Sequence, residues 1–239
     1  MSNEKKLTFK HSGDLGDVIF SLPTIRALGG GQLLLDPEGG ESSPYVRFAD
    51  KTRTKLNSKS IEAIKPLLEL QPYIDSVKPW KGEKVDYDLD EFRANVKFNN
   101  LSDSHLKSFN LDFSERDSAW ITNVDPIKLD KKIVIARSPR VQGNHSFWEN
   151  NLPAFKDNCV FVGFEKEHDI FEYTFGHKVE HYKTETIMDL ARVISGCDKF
   201  YGNQGFAHAI AEGMKKELIN EVYRVYPAAV FKRKGADYV

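Results

Sequence analysis

With 239 residues and a formal charge of −1 at neutral pH, the chain is long enough for one large or two small domains, and it has no global basic field of the kind that announces nucleic-acid binding. Cys159 and Cys197 are its only cysteines, too few for a disulfide framework or a cysteine-rich zinc site, so a reducing, cytoplasmic setting is expected. No run approaches the ~20 apolar residues of a membrane span, and no signal-peptide core follows Met-Ser-Asn-Glu-Lys-Lys, so a soluble protein is expected.

Leu7 to Lys10 reads as a short buried strand, Gly13 and Gly16 permit a sharp turn, and Val18, Ile19, Leu22, Ile25 and Leu28 recur at helical spacing. This is the strand, loop and helix of an α/β unit. Glycine-rich turns at helix N-termini commonly bind phosphate, but this one carries Asp14 and Asp17, which repel an anion, and its Gly-x-x-Gly spacing is not a dinucleotide fingerprint. Two readings of the carboxylates stay open: Asp17 caps the helix while Asp14 is solvated, or one of them is kept for chemistry. Gly29-Gly30-Gly31 then ends the helix, Gln32 to Leu35 forms a second strand closing on Asp36-Pro37-Glu38-Gly39-Gly40, and loop runs to about Ser58. Ile61, Ile64, Leu67 and Leu68 predict a helix around Pro66, and Tyr73 to Trp80 a return to the sheet. Tyr87 to Phe113 is polar and irregular, with Asn99, Asn100, Ser102, Asp103 and Ser104 clustered, and reads as loop and short helix.

The charged, turn-forming stretch from Asp125-Pro126 to Asp130-Lys131-Lys132 precedes the β-branched run Ile133-Val134-Ile135, which places a boundary between domains 1–127 and 128–239. Strands are then predicted over Ile133 to Arg137, Cys159 to Gly163, Val179 to Tyr182, Lys199 to Tyr201 and, as the last, Leu218 to Val222. Helices alternate with them over Glu167 to Phe175, from Thr184 or Glu185 with Ile187, Leu190, Ala191 and Ile194 on one face, and over Gly205 to Met214. The basic tail Phe231-Lys232-Arg233-Lys234 reads as solvated surface.

Ligands of open α/β sheets bind at the carboxyl ends of strands, where two loops of the second domain emerge. One is Asn203-Gln204-Gly205, a turn without a carboxylate whose N–H groups suit a diphosphate, followed at helical spacing by His208 and Glu212; the bland alternative makes Asn203 an ordinary cap and His208 a core residue. The other is Arg137-Ser138-Pro139-Arg140, whose guanidinium forks suit phosphate oxygens unless they pair with nearby acids.

Together these stretches resemble glycosyltransferase family nine, the ADP-heptose:lipopolysaccharide heptosyltransferase type. Gly16-Asp17-Val18 followed by Ser21-Leu22-Pro23 resembles the family's opening Gly-Asp-Val/Ile…Leu-Pro motif, and Gly202-Asn203-Gln204-Gly205-Phe206-Ala207-His208 resembles its donor-phosphate motif Gly-Asn-Asp-Ser-Gly-x-x-His, here one residue shorter and without the acid. The chain is similar to a short, divergent branch of heptosyltransferase-like proteins, some of them encoded by phages. The resemblance implies two Rossmann-like domains facing across a cleft, the GT-B fold, with the N-terminal, acceptor-side domain reduced. It implies an inverting transfer from a nucleoside-diphosphate sugar to an acceptor hydroxyl, with Asp17 as catalytic base; Ser12, Gly13, Asp14 and Gly16 are read as the acceptor-side loop, Asp14 lying outside the family's core pattern. Arg137, Ser138, Arg140, Asn203, Gln204, Gly205, His208 and Glu212 would hold the donor. No cofactor and no metal are implied, and the chain is read as having neither a Cys/His ligand set nor the Asp-x-Asp pair by which other glycosyltransferases hold a divalent ion. The acceptor is left open between a glycan such as lipopolysaccharide core, a protein and a modified base of phage DNA, as is the oligomeric state. Two rivals keep the fold without the transfer: a nucleotide or nucleotide-sugar binder, and a scaffold using the irregular Tyr87 to Phe113 region for contact.

Overall fold

A computed structural model of the chain describes residues 6–37, 56–96 and 100–239; Glu38, Gly39, Gly40, most of the loop expected before Ser58, and Asn99 lie outside the described residues. The chain divides into two compact units, Met1–Trp120 and Ile121–Val239. The 121–127 segment, read from sequence as the end of the first domain, hydrogen-bonds within the second unit, Ile121 N–H to the Gly213 carbonyl at 3.0 Å and Ile127 N–H to the Arg192 carbonyl at 2.9 Å.

The first unit runs β1 (Thr8–His11), α1 (Leu15–Ala27), β2 (Gly31–Leu35), α2 (Ser58–Glu69), β3 (Ile74–Pro79), β4 (Tyr87–Asp88) and α3 (Leu101–Ser108), with a 3₁₀ helix at Leu89–Ala94. Its strands form one parallel sheet in the order β3-β2-β1-β4, with Phe9 opposite Leu33 on one side and Tyr87 on the other. Leu33, Leu34 and Leu35 are all buried, as strands covered on both faces require. The apolar face predicted for α1 is buried through Val18, Ile19, Leu22 and Ile25, and that of α2 through Ile61, Ile64, Leu67 and Leu68. The chain lays down β1, β2 and β3 in one direction, then places β4 on the far side of β1. The connections therefore diverge between β1 and β4.

The second unit runs β5 (Ile133–Ala136), α4 (His145–Phe155), β6 (Cys159–Val162), α5 (Glu165–Phe175), β7 (Glu180–Tyr182), α6 (Ile187–Gly196), β8 (Lys199–Asn203), α7 (Phe206–Gly213), β9 (Glu217–Glu221) and β10 (Ala236–Tyr238). Its six strands are parallel, in the order β10-β9-β8-β5-β6-β7. Helix α4 and strand β10 were not expected from sequence: β9 is not the last strand, because Ala236, Asp237 and Tyr238 pair with Leu218, Ile219 and Asn220. The basic tail is solvated only in part: Lys232 and Lys234 are exposed, whereas Phe231 is buried and Arg233 binds the carboxylate of Glu212. One apolar cluster joins Ile133, Ile135, Trp148, Leu152, Phe161 and Phe171. Here the connections diverge between β5 and β8, the switch point at which open α/β sheets bind ligands. Among the described residues, no helix is long and apolar enough to cross a membrane.

Candidate active site

In the first unit, α1 begins earlier than the hydrophobic pattern suggested. Asp14 is its N-cap and Asp17 the third helical residue of a capping box, whose Oδ2 accepts the Asp14 N–H at 3.1 Å. The reading in which Asp17 caps and Asp14 is solvated is thus replaced by a reciprocal arrangement. Both residues are half-buried, and Gly16 lies in the first turn of α1 between them.

Gly13 donates its N–H to Nδ1 of His11 at 2.8 Å. A side chain at position 13 would meet His11 Cε1 at 2.5 Å and Asp17 Cβ and Oδ2 at 2.8 Å, so only glycine fits between the imidazole and the carboxylate. Burial lowers the His11 pKa to about 4, which keeps the ring neutral and Nδ1 available as an acceptor. Sequence reasoning missed the residue that fixes this loop from the other side. Asp90, just past β4, accepts the Ser12 N–H at 3.0 Å, the Ser12 hydroxyl at 2.6 Å, Lys10 Nζ at 2.6 Å and Arg93 Nη1 at 2.6 Å. Burial pushes its carboxyl up, but His11, Lys10, Ser12 and Arg93 outweigh that and hold it well below the usual carboxylate range.

The expectation that the chain lacks an Asp-x-Asp pair is wrong, because Asp88-Leu89-Asp90 is such a sequence. Here the two carboxylates face cations and donors of the chain itself, Asp88 taking the Asp90 N–H at 3.0 Å and Lys10 Nζ at 3.4 Å. Among the described residues no group of three or more His, Cys, Asp or Glu is placed to hold a metal ion.

In the second unit two adjacent amides brace the switch point. Asn203 accepts the Ser138 N–H at 3.0 Å and donates to the carbonyls of Ser138 at 2.8 Å and Arg140 at 2.7 Å. Gln204 reaches the other way, accepting the Tyr223 N–H at 2.6 Å and donating to the Tyr226 carbonyl at 2.9 Å. The loops after β5 and β9 are thereby held on either side of the β8 end, and Asn203 is a clamp, not a helix cap. Gly205 is the N-cap of α7. A Cβ there would lie 3.8 Å from the Asn203 carbonyl, an ordinary contact, whereas one at Gly143 would run into the Val222 carbonyl. The chain's own packing requires glycine at 143 but not at 205, so what Gly205 keeps clear is space at the α7 N-terminus.

Arg137 is buried, and its fork is filled by Glu221, Nε to Oε2 at 2.6 Å and Nη2 to Oε1 at 3.0 Å. Glu221 also accepts the N–H groups of Gly143 at 2.7 Å and Asn144 at 2.9 Å and the Trp148 indole at 2.8 Å. Burial pushes its carboxyl up, but the bond and charge of Arg137 dominate and hold it below the ordinary value. Arg137 therefore organises the loop from inside, while Arg140 is exposed and Ser138 half-buried. His208 is buried, and burial with the charge of Arg233 lowers its pKa to about 3, leaving it neutral. Glu212 is buried against Arg233, at 3.0 and 2.9 Å, and Lys215, at 2.7 Å. Ser138, Arg140, Asn203, Gln204 and Gly205 are thus brought together, and the side chains of Arg137, His208 and Glu212 are turned into the unit's interior.

No protein-family model matches the chain, and no curated protein matches its sequence. Solved structures do match its fold. A glycosyl transferase family 9 protein from Veillonella parvula DSM 2008 is 12% identical, with 100% of this chain and 87% of that one covered and a TM-score of 0.60. The E. coli heptosyltransferase WaaC, solved with ADP-2-deoxy-2-fluoro heptose, is 10% identical over 98% of this chain and 93% of its own, with a TM-score of 0.59. E. coli ADP-heptose LPS heptosyltransferase II is 11% identical over 98% and 90%, with a TM-score of 0.55. Two parallel α/β sheets, each with its motif loops at the point where the connections diverge, give this chain the fold of family 9 glycosyltransferase structures.

Proposed function

We propose that the protein is an inverting, metal-independent glycosyltransferase that moves a sugar from a nucleoside-diphosphate sugar to an acceptor hydroxyl. One observation carries the reading: in a chain with this fold, both motif loops lie at their own sheet's switch point, Asp17 in the helix after β1 and Gly205 directly after β8, the neighbour of β5. Asp17 takes the proton of the acceptor hydroxyl as its oxygen attacks C1 of the sugar, and the C1–O bond to the diphosphate breaks on the opposite face. Negative charge then grows on the leaving phosphate. Arg140 and the N–H groups at the α7 N-terminus meet that charge in a preset geometry, which is where electrostatic stabilisation lowers a barrier most. The Asp-x-Asp carboxylates, engaged by Lys10 and Arg93, support a mechanism that leans on these groups instead of a divalent ion.

A second reading, nucleotide binding without transfer, is favoured by the structural duty Asp17 already has in the capping box. Incubation with a panel of nucleotide sugars separates the two. A bound donor at 100 times its Kd adds ~2.7 kcal/mol of stability under either reading. Release of nucleoside diphosphate in the presence of an acceptor occurs only under the first.

A further inference from the structure

Phe164 is 78% exposed, whereas Phe161, Phe171 and Phe175 of the same strand and helix are buried. It occupies the N-cap of α5, a position that Ser, Thr, Asp or Asn fills best, and its ring makes no capping bond. The backbone that presents it is nonetheless tightly built. Gly163 has φ +136°, which L side chains rarely adopt, the Phe164 N–H donates to Glu167 Oε2 at 3.1 Å, and the Phe164 carbonyl accepts from Glu167 N–H at 2.9 Å and His168 N–H at 3.1 Å. An apolar ring is thus held out of the core, on a rigid turn, at a site where local helix chemistry asks for a polar residue. Departures of this kind from local consistency are expected where function sets the residue.

The neighbourhood says what the ring would meet. β6 pairs directly with β5, so the Phe164 turn and the Ser138–Arg140 loop leave adjacent strands at the same carboxyl edge. Glu167 ties them: burial pushes its carboxyl up, while the Phe164 backbone, Ser138 and the charge of Arg140 act against this. A planar apolar face beside a phosphate-binding loop matches one molecule that carries both partners, a nucleotide.

We propose that Phe164 is the stacking platform for the nucleobase of the donor. The assignment rests on the reading of Arg140 as a diphosphate ligand. A phenyl ring stacks on any base through its π face, so the platform supplies affinity without choosing the base, and polar groups elsewhere would select it.

The test measures affinities of ADP, GDP, CDP, UDP and inorganic pyrophosphate by calorimetry for the wild type, Phe164→Ala, Phe164→Leu, Phe164→Trp and Arg140→Ala. Phe164→Ala and Phe164→Leu should weaken the tightest nucleoside diphosphate roughly tenfold or more while leaving pyrophosphate unchanged, and Phe164→Trp should restore it. Equal losses for nucleotide and pyrophosphate, or no loss for either, would overturn the platform while Arg140→Ala still reports on the diphosphate site. Unchanged pyrophosphate binding by Arg140→Ala, or no nucleotide binding by the wild type, would overturn the underlying site and the platform with it.

Discussion

Replacing Glu221 by Gln should destabilise the second unit severely, although the two side chains have almost the same size. Five donors converge on this carboxylate: Nε and Nη2 of Arg137, the N–H groups of Gly143 and Asn144, and the Trp148 indole. The Arg137 and Glu221 side chains are 1% and 0% exposed, so water cannot replace what is lost. An amide brings its own N–H₂ into this ring of donors and leaves at least two of them without an acceptor. At about 1.5 to 3 kcal/mol for each hydrogen bond to a charged group, two losses amount to roughly 3 to 6 kcal/mol. The cost of stranding one member of a buried ion pair, about 3 to 5 kcal/mol, gives the same range. Glu221→Gln and Arg137→Met should each show it in urea unfolding, whereas the double change Arg137→Met with Glu221→Gln should cost less than their sum, because no charge is stranded. A Glu221→Gln loss below about 1 kcal/mol, or additivity of the two sites, would refute the argument that Arg137 is committed to the interior.

Arg140 and Gly205 should behave in the opposite way. Arg140→Ala should leave stability within about 0.5 kcal/mol, since the residue is exposed, yet weaken nucleoside-diphosphate binding by ~1.5 to 3 kcal/mol in calorimetry. Gly205→Ala should also fold normally, and lose affinity because its methyl group fills the space before the α7 N-terminus; a clear loss of melting temperature there would show that the fold itself needs this glycine. The pH dependence follows from three buried imidazoles: burial holds His105 well below its ordinary value, and His11 and His208 have pKa values lowered to about 4 and about 3. All three are neutral when folded but protonate near 6.5 when unfolded, so their contribution is intact above pH 6.5 and falls with pH, by about 1.4 kcal/mol per unit for each, until the folded pKa is passed. Urea midpoints that stay level from pH 7 to pH 5 would contradict this.

What could be read from the sequence was set by how local the signal is. The β1–loop–α1 unit was legible because Val18, Ile19, Leu22 and Ile25 share a helical face and two glycines mark the bend, and strands β5 and β6 because they are continuous apolar runs. Helix α4 escaped because its polar middle, Glu149, Asn150 and Asn151, and Pro153 dilute the pattern, leaving only Trp148 and Leu152 buried one turn apart. Strand β10 escaped because Ala236, Asp237 and Tyr238 are too few to show alternation. At the site, the motif loops were found but their supports were not. Asp90 reaches Ser12 across 78 positions and Glu221 reaches Arg137 across 84, and no local pattern announces such pairs. The same blindness made Arg137 and Arg140 look alike, when one is locked in the interior and the other faces solvent.

The central claim is that Asp17 does chemistry beyond its place in the capping box, and Asp17→Asn tests it most directly. Asparagine can still accept the Asp14 N–H through its carbonyl oxygen, so the helix start and the fold should survive, with donor affinity unchanged. An amide cannot take a proton from an attacking hydroxyl. Turnover, followed as nucleoside diphosphate released from a nucleotide sugar in the presence of acceptor, should fall by ~10²-fold to 10⁴-fold, the usual worth of a positioned general base. Turnover close to that of the wild type in a folded Asp17→Asn protein would contradict the account and leave the opening loop as scaffold.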